Sequence, residues 1–514
     1  MKIGIIHFRE FPCHWETEFL DDVQNAISAE FIKIDIPRPT QNKSLLWEAY
    51  QKLDDRLFLP KSFALDQGKS INYSKTIDVS EIGEISKLDF IINLSEGYTD
   101  VDLFNHTSKG ILFFDYLGAT TGQFPPAAIE YLEGNNEITL TLYNGTTSYD
   151  NAFLLDRVTL CRDTISYKRT LHGYFWQATS LLQRNLPLLL NKGLSAHDQV
   201  SKSQVSTRYS EKKIPPVKII GFIGTLFFKK ILGSIQSLFT FNQWILLLKT
   251  NVTDENFHDI KSYREILPPK DRFWADPFLV LKDERYYLYI EELVYSEKLG
   301  KLAVIPLNDD FSPQQPITIL KKDYHLSYPF IFEDNGEMYM IPETSGNRDI
   351  QLYRCTQFPE KWEFECTLME DIVAVDTTLY NKDGKYWMLT NVQSNPHTSK
   401  HNDLNLYWSN ELKTQEWKPY HKNPVVSDIN TARPAGNIFL VNDKLIRPAQ
   451  NCAPYYGYGI NFCEIKKMAE SEFSQELYIP VVPNWDSSIL STHTFNRIEG
   501  IAVSDALKRR SKFF

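Results

Sequence analysis

The sequence predicts two domains: an α/β domain built on a parallel sheet, then an all-β domain folded as a five-bladed β-propeller. Three observations carry this expectation. At 514 residues the chain exceeds what one hydrophobic core usually organises. Residues 1–194 alternate short apolar runs with helix-compatible stretches. The remainder repeats one strand–turn–strand pattern about every 50 to 60 residues, the length of a four-stranded blade.

In the first domain "KIGIIHF", "FIKIDI" and "LDFIINLS" are the apolar runs, separated by stretches such as "WETEFLDDVQNAISA" and "SLLWEAYQKLDDRL". Alternating strand and helix implies a Rossmann-type parallel sheet. The polar stretch "SAHDQVSKSQVSTRYSEKKIPP" (195–216) ends in two prolines and holds few core formers, the texture of a linker. The apolar stretch 217–249 follows, interrupted by Lys229 and Lys230. Its uninterrupted runs fall short of the roughly 18 to 20 residues that span a bilayer. The expectation is a helix packed between the domains, with an amphipathic helix lying on a membrane surface as the alternative. The division is therefore 1–194, a linker and helix over 195–240, and a propeller over 241–514.

The repeats begin at Trp274 ("WADPFLVLKDERYYLYIEE"), Ser327 ("SYPFIFEDNGEMYMIPETS"), Val375 ("VDTTLYNKDGKYWMLTNVQ") and Ala432 ("ARPAGNIFLVNDKLIRPAQN"), with a degenerate copy from Ser491. Either "QWILLLKTN" (243–251) or the terminal "IAVSDA" is expected to close the ring. Aligned, Asp276, Tyr328, Asp376 and Arg433 start the first strands, and Glu292, Glu343, Asn391 and Gln450 end the second ones. First strands of blades line a propeller's axis, so these polar groups should converge on one mouth, a binding site by default.

Bulk composition excludes some functions. A net charge of −10 leaves no broad basic face for nucleic acid. Six dispersed cysteines without a C-x-x-C pair suggest reduced thiols, with neither a disulfide framework nor a zinc site, and no metal is expected. The N-terminus shows no signal-peptide pattern, so the expected location is cytoplasmic, with membrane association if the 217–240 segment touches lipid. An aromatic fraction of 13% suits β-structure and saccharide surfaces. The common phosphate-loop, dinucleotide and zinc-protease motifs are missing, which still leaves a sugar nucleotide open as ligand.

The "WADPFL" start, the "HLSYPFIFEDNGEMYMIPETS" run, "LYRCTQFPEKW" and the "ARPAGNIF…LIRPAQNCAPYYGYGI" block resemble the propeller domain of glucosamine inositolphosphorylceramide transferase-type proteins. More distantly they resemble arabinanase- and xylosidase-type glycosidase propellers. The resemblance covers about residues 240–505 and implies a glycan context. By the glycosidase likeness, Asp276 stands where those propellers place their base, whereas Ser327 and Tyr328 replace another acid.

The stretch from Leu88 to Leu155 is similar to the formyltetrahydrofolate-dependent formyltransferases. In that family Asn and His polarise the formyl group and accept a proton, and an Asp holds the His. Here Phe113 and Asp115 stand at the Asn-x-His positions and Thr121 at the Arg position, while Asp150 is retained. An Asp titrates about 2.6 units below a His and cannot shuttle protons the same way near pH 7. His106 is either a displaced substitute or a solvated loop residue.

Glycosidic chemistry needs two carboxylates flanking the scissile bond. The candidates are Asp276, Asp376 and Glu343, with Glu292 as a further proton source. Against this, an Asp before Pro also caps turns. Trp274 and Tyr328 are expected to stack on sugar, Arg433 and Arg447 to hold an anionic group or to stitch blades, and His493 to face the mouth. The expected function is a saccharide- or glycolipid-directed enzyme of cell-surface glycan assembly. The alternatives are a non-catalytic glycan-binding propeller on a degenerate scaffold, and acyl or formyl transfer to an amino sugar using Asp115, Asp150 and His106.

Overall fold

Lys2–Ile6 (β1) is buried along almost its whole length, as a strand must be when helices cover both faces of a parallel sheet. It lies central in a seven-stranded sheet with Glu30–Asp35 (β2), Lys75–Asp78 (β3), Phe90–Asn93 (β4), Ile111–Phe114 (β5), Glu137–Gly145 (β6) and Ala152–Cys161 (β7). The order is β3-β2-β1-β4-β5-β6-β7. Strands β1 to β5 pair in parallel. The sheet is mixed, because β6 and β7 form a hairpin antiparallel to β5.

The computed structural model describes residues 1–7, 12–27, 29–36, 44–59, 63–95, 101–116, 125–192 and 215–513. Thr121 and the linker up to residue 214 lie outside these. Helices α1 (His14–Ala26), α2 (Leu45–Phe58), α3 (Ala128–Glu133) and α4 (Tyr167–Lys192) accompany the sheet. Ser44 caps α2 by accepting from the Trp47 amide at 3.4 Å, and Glu16 accepts from the Cys13 amide at 2.7 Å ahead of α1. Trp15, Phe19, Trp47, Phe175 and Leu182 from these helices share one core with Ile5, Ile92 and Leu142 of the sheet.

The chain forms two compact units, Met1–Ile231 with Asn395–Thr398, and Leu232–Ser394 with Ser399–Phe514. The boundary falls inside α5, a continuous helix from Pro216 to Phe239. Ile219 is buried, and Phe222, Ile223 and Leu226 pack on the N-terminal core, but Phe227, Phe228, Ile231, Ile235 and Leu238 are exposed. The two lysines do not break the helix: it is long and apolar enough to cross a membrane.

The second unit is a five-bladed propeller. Blade one contains Arg272–Lys282, Arg285–Val294, Lys301–Pro306 and Ile317–Leu320, and blades two to four begin with Ser327–Asp334, Ala374–Lys382 and Phe439–Val441. Each blade opens with a tight hairpin whose two turn residues have positive φ: Asp283–Glu284, Asn335–Gly336, Asp383–Gly384, Asn442–Asp443 and Glu499–Gly500. Such turns match the right-handed twist of the flanking strands, which is why Asn, Asp and Gly recur there. The fifth blade answers the closure question with both candidates. Strand β8 (Thr240–Thr250) pairs antiparallel with Ile501–Ser511 along its full length, so the two ends of the domain share one sheet.

Candidate functional site at the propeller axis

The same irregularity recurs in the first three blades. Ala275 faces Glu291, Ser327 faces Glu343 and Val375 faces Asn391, after which the register jumps to Phe278, Phe330 and Thr378. Each jump is a β-bulge, two residues set against one, which bends the strand and re-aims a side chain. The bulge residues are Asp276 (φ 50°), Tyr328 (φ 45°) and Asp376 (φ 52°). Left-handed backbone in a tyrosine and two aspartates costs free energy and persists only where surroundings enforce it.

Cross-blade hydrogen bonds supply that enforcement. The Asp276 carboxylate accepts from the Tyr328 amide at 3.0 Å and from the Thr494 hydroxyl at 2.6 Å. Its amide donates to Asp505 at 3.1 Å. The Tyr328 hydroxyl lies 2.8 Å from that of Thr378 and accepts from the Gly436 amide at 2.7 Å. Gly436 (φ 133°) is required, because a Cβ there would sit 1.9 Å from the Phe495 carbonyl oxygen. All five blades are thereby joined across the axis.

Two charged clusters flank this joint. In one, His493 Nδ1 lies 2.6 Å from Asp505 and its Nε2 lies 3.9 Å from Asp276, while the ring stacks on Trp244 at 4.1 Å. Burial works against charge on His493, but the Asp505 carboxylate outweighs it and the pKa is pushed up to about 9. Asp276, His493 and Asp505 offer ligand atoms within 4.8 Å of one another. Both oxygens of each aspartate already accept hydrogen bonds, however, Asp505 from the His493 and Thr494 amides as well. The donor set is that of a satisfied hydrogen-bonded cluster, and no step is assigned to a metal.

In the other cluster, Arg433 reaches Asp376 with Nε at 2.6 Å and Nη2 at 3.2 Å. Its Nη1 lies 2.8 Å from His401 Nδ1 and its Nη2 lies 3.5 Å from Glu343. Burial pushes the Asp376 carboxyl upward and the guanidinium opposes it; the two-pronged fork holds the pair charged. Burial, then Arg433, holds His401 well below the ordinary histidine range, so the neutral ring accepts from the guanidinium. Gln450 donates to Asp376 at 2.7 Å. Above Arg433 lies the ring of Tyr456, 4.8 Å away and stacked on His401 at 5.0 Å; the residue is 42% exposed.

A third group lies one residue away from the acid that the repeat alignment picked out. Glu291, only 6% exposed, has Oε1 3.0 Å from His325 Nε2. Nδ1 of His325 accepts from the Gly300 amide at 3.0 Å, so the proton sits on Nε2, facing the carboxylate. Burial pushes Glu291 up to about 7, with His325 opposing, and the contact with Glu291 raises His325. Gly300 permits the approach: a Cβ there would lie 2.6 Å from His325 Cε1 and 2.7 Å from Glu291 Oε1.

Several sequence expectations are corrected. Glu292 is one residue out of register with Glu343. Adjacent strand residues face opposite sides, and Glu292 instead accepts from Trp274 Nε1 at 3.1 Å and pairs with Arg272 at 3.1 Å. Trp274 is buried in an inter-blade core and Tyr328 is fully buried, so neither offers a stacking face. Arg447 is buried and donates to the Ala432 and Thr431 carbonyls and to Gln475, a structural role. Arg433 faces the axis, but its guanidinium is committed to protein groups rather than open to an anion.

The proposed N-terminal pocket does not assemble. Asp115 follows the C-terminal end of β5, where burial pushes its carboxyl up to about 7. His106 precedes β5, its carbonyl accepting from the Leu88 amide. Asp150 lies in the β6–β7 turn, which the Ile111–Gly145 pairing puts beside the start of β5. Asp115 is therefore at the opposite end of the strand from the other two.

Residues 265–496 match the family model described as glucosamine inositolphosphorylceramide transferase 1, N-terminal. The propeller is the part that matches. A protein of that name from Arabidopsis thaliana is 32% identical over 212 residues, and one from Oryza sativa subsp. japonica is 30% identical over 206. Each alignment covers 40% of this chain and 27% of the relative, so the chain spans about a quarter of the length of the curated relatives it matches. Among solved structures, a family 117 glycoside hydrolase of Zobellia galactanivorans is 11% identical at a TM-score of 0.34, covering 52% of this chain and 90% of that one. An alpha-L-arabinofuranosidase from Lactobacillus brevis is 10% identical at a TM-score of 0.33, covering 43% and 83%.

Proposed function

We propose that this protein handles a saccharide or glycolipid head group in glycan biosynthesis, and that the propeller mouth is where that group binds. The observation that carries the reading is the convergence of Glu291, Glu343, His325, His401, Arg433 and Tyr456 on one axis, within the stretch matched by the family model. The relatives' name attaches them to an inositolphosphorylceramide, which makes a glycolipid head group the ligand proposed here. Carboxylates outnumber cations at the mouth and Arg433 is already paired with Asp376, so the group bound is a neutral or cationic sugar. Tyr456 supplies its stacking face.

For an enzymatic role, Asp276 and Asp376 are poor acid–base candidates, since both hold the blades together through their oxygens. Glu343 and Glu291 are the carboxylates left for a substrate, with a sugar nucleotide as the donor to be tried. The second reading, a non-catalytic glycan-binding propeller, is favoured by that same engagement of the axial aspartates. The N-terminal domain is read as a formyltransferase-like scaffold without a formyl-transfer site, in a protein placed in the cytoplasm.

The test is saturation-transfer NMR on the full chain with glucosamine, N-acetylglucosamine and its uridine diphosphate. Tyr456→Ala should abolish the transfer in a chain whose circular dichroism shows the propeller still folded. Transfer that persists in Tyr456→Ala, or none in the wild type, refutes the placement. Turnover that is lost in Glu343→Gln and Glu291→Gln would select the enzymatic reading over the binding one.

A further inference from the structure

Helix α5 carries two separate apolar faces. One, formed by Ile219, Phe222, Ile223 and Leu226, packs on the N-terminal core. The other contains Ile220, Phe227, Phe228, Ile231, Ile235 and Leu238, all exposed, with Phe227 at 68% and Phe228 at 62%. At 100° per residue these six lie within a stripe about 100° wide, roughly opposite the packed face. Lys218, Lys229 and Gln236 fall outside the stripe on one flank, where long side chains can lay their stems along apolar surface and keep their charges in water.

The end of α5 meets a cluster of positive charge. The last strand runs into "KRRSK", residues 508–512, and the chain there returns to the helix. The Lys512 amide donates to the Phe239 carbonyl at 3.0 Å, and Lys512 Nζ donates to the Ser237 carbonyl at 2.6 Å. Lys508 is paired with Glu265, whereas among the described residues no carboxylate forms a salt bridge with Arg509, Arg510 or Lys512. Phe513, 66% exposed, sets its ring 6.4 Å from that of Phe239. A protein of net charge −10 thus concentrates cations and exposed aromatics at one end of an apolar stripe that no described residue covers.

We infer that α5 and the 508–512 tail form a docking surface for an anionic lipid bilayer, the helix lying in the interface with its stripe among the acyl chains. Charge complementarity selects the occupant. An apolar stripe alone would suit a protein groove equally well, but the basic tail beside it matches a leaflet of anionic head groups. Length and composition would allow the helix to span. Protein covers one side of its first half, through Ile219, Phe222, Ile223 and Leu226, which favours the interfacial placement. The inference is independent of what the propeller mouth binds.

The full chain should co-sediment with phosphatidylcholine vesicles containing about 30 mol% phosphatidylserine and not with phosphatidylcholine alone. Arg509→Gln with Lys512→Gln should weaken partitioning roughly twenty-five-fold, at about a factor of five per cation. Phe227→Ser with Phe228→Ser should weaken it at least about a hundredfold. Phe227, Phe228 and Lys512 are exposed and Arg509 is half-buried, and unchanged circular dichroism would show that the fold is intact. A folded wild type that ignores anionic vesicles overturns the inference, as does binding that neither pair alters. A dimer seen by light scattering and dissolved by the phenylalanine changes would assign the stripe to a second copy. Resistance to carbonate extraction would show a spanning helix instead.

Discussion

Replacing Glu291 by glutamine should stabilise the propeller, and only above acidic pH. The Glu291 carboxyl titrates near 7 in the fold against 4.5 ordinarily, so the folded state binds that proton about 3 kcal/mol more tightly than the unfolded chain, at 1.36 kcal/mol per tenfold. A carboxyl whose pKa is raised by folding makes stability fall as pH rises from 4.5 to 7, and the loss persists at higher pH. Glutamine keeps the shape and an acceptor for His325 but cannot ionise. The variant and wild type should therefore be equally stable below pH 4.5 and diverge to at most ~3 kcal/mol by pH 8. The figure is a ceiling, because His325, whose proton is held more tightly by the same contact, loses that support in the variant. Guanidinium unfolding from pH 4 to 8.5 measures the difference, with the propeller transition assigned by hydrogen exchange of its strands. A variant less stable than wild type at pH 8, or a gap of equal size at pH 4.5 and 8, would refute the buried-acid assignment.

Three more outcomes are expected. Asp376→Asn removes the nearer counter-charge of the buried Arg433 guanidinium and leaves only Glu343 at 3.5 Å; it should cost about 3 kcal/mol in the same unfolding assay. Gly300→Ala drives a Cβ against the Leu326 carbonyl oxygen, at 2.6 Å, as well as against the Glu291–His325 pair; it should cost about 1–3 kcal/mol and shift the His325 resonance in a histidine NMR titration. His493, held near 9, contributes stability fully present below pH 6.5 and lost as pH rises through 9, amounting to ~3 kcal/mol. That slope should vanish in His493→Gln.

Much of the architecture is readable in the sequence alone. The hairpin turns announce themselves because two successive positive-φ residues demand Asp, Asn or Gly, and Asp383–Gly384 and Asn335–Gly336 satisfy that demand locally. Repeating those turns at blade spacing fixes the number of blades. The α/β character of the first domain followed equally from β1 and β4 being apolar on both faces. Its antiparallel β6–β7 hairpin escaped notice because alternating strand and helix patterns do not report strand direction. The adjacent acids Glu291–Glu292 were a signal that one of the two faces the axis. The bulge decides which, and a bulge inserts a residue that pattern alignment does not count.

Local sequence determined the blades, their turns and the residues that begin each first strand, since these depend on backbone preferences of neighbours in the chain. Which acids remain available to a ligand was decided only by tertiary structure. Asp276 finds Thr494 and Asp505 more than two hundred positions away, and Asp376 finds Arg433 57 positions on. Those partners convert two candidate catalysts into the joints of the ring, because a buried carboxylate is tolerated only where donors from other blades satisfy it. Glu291 meets its histidine only because Gly300, remote from any motif, leaves room for the two to approach.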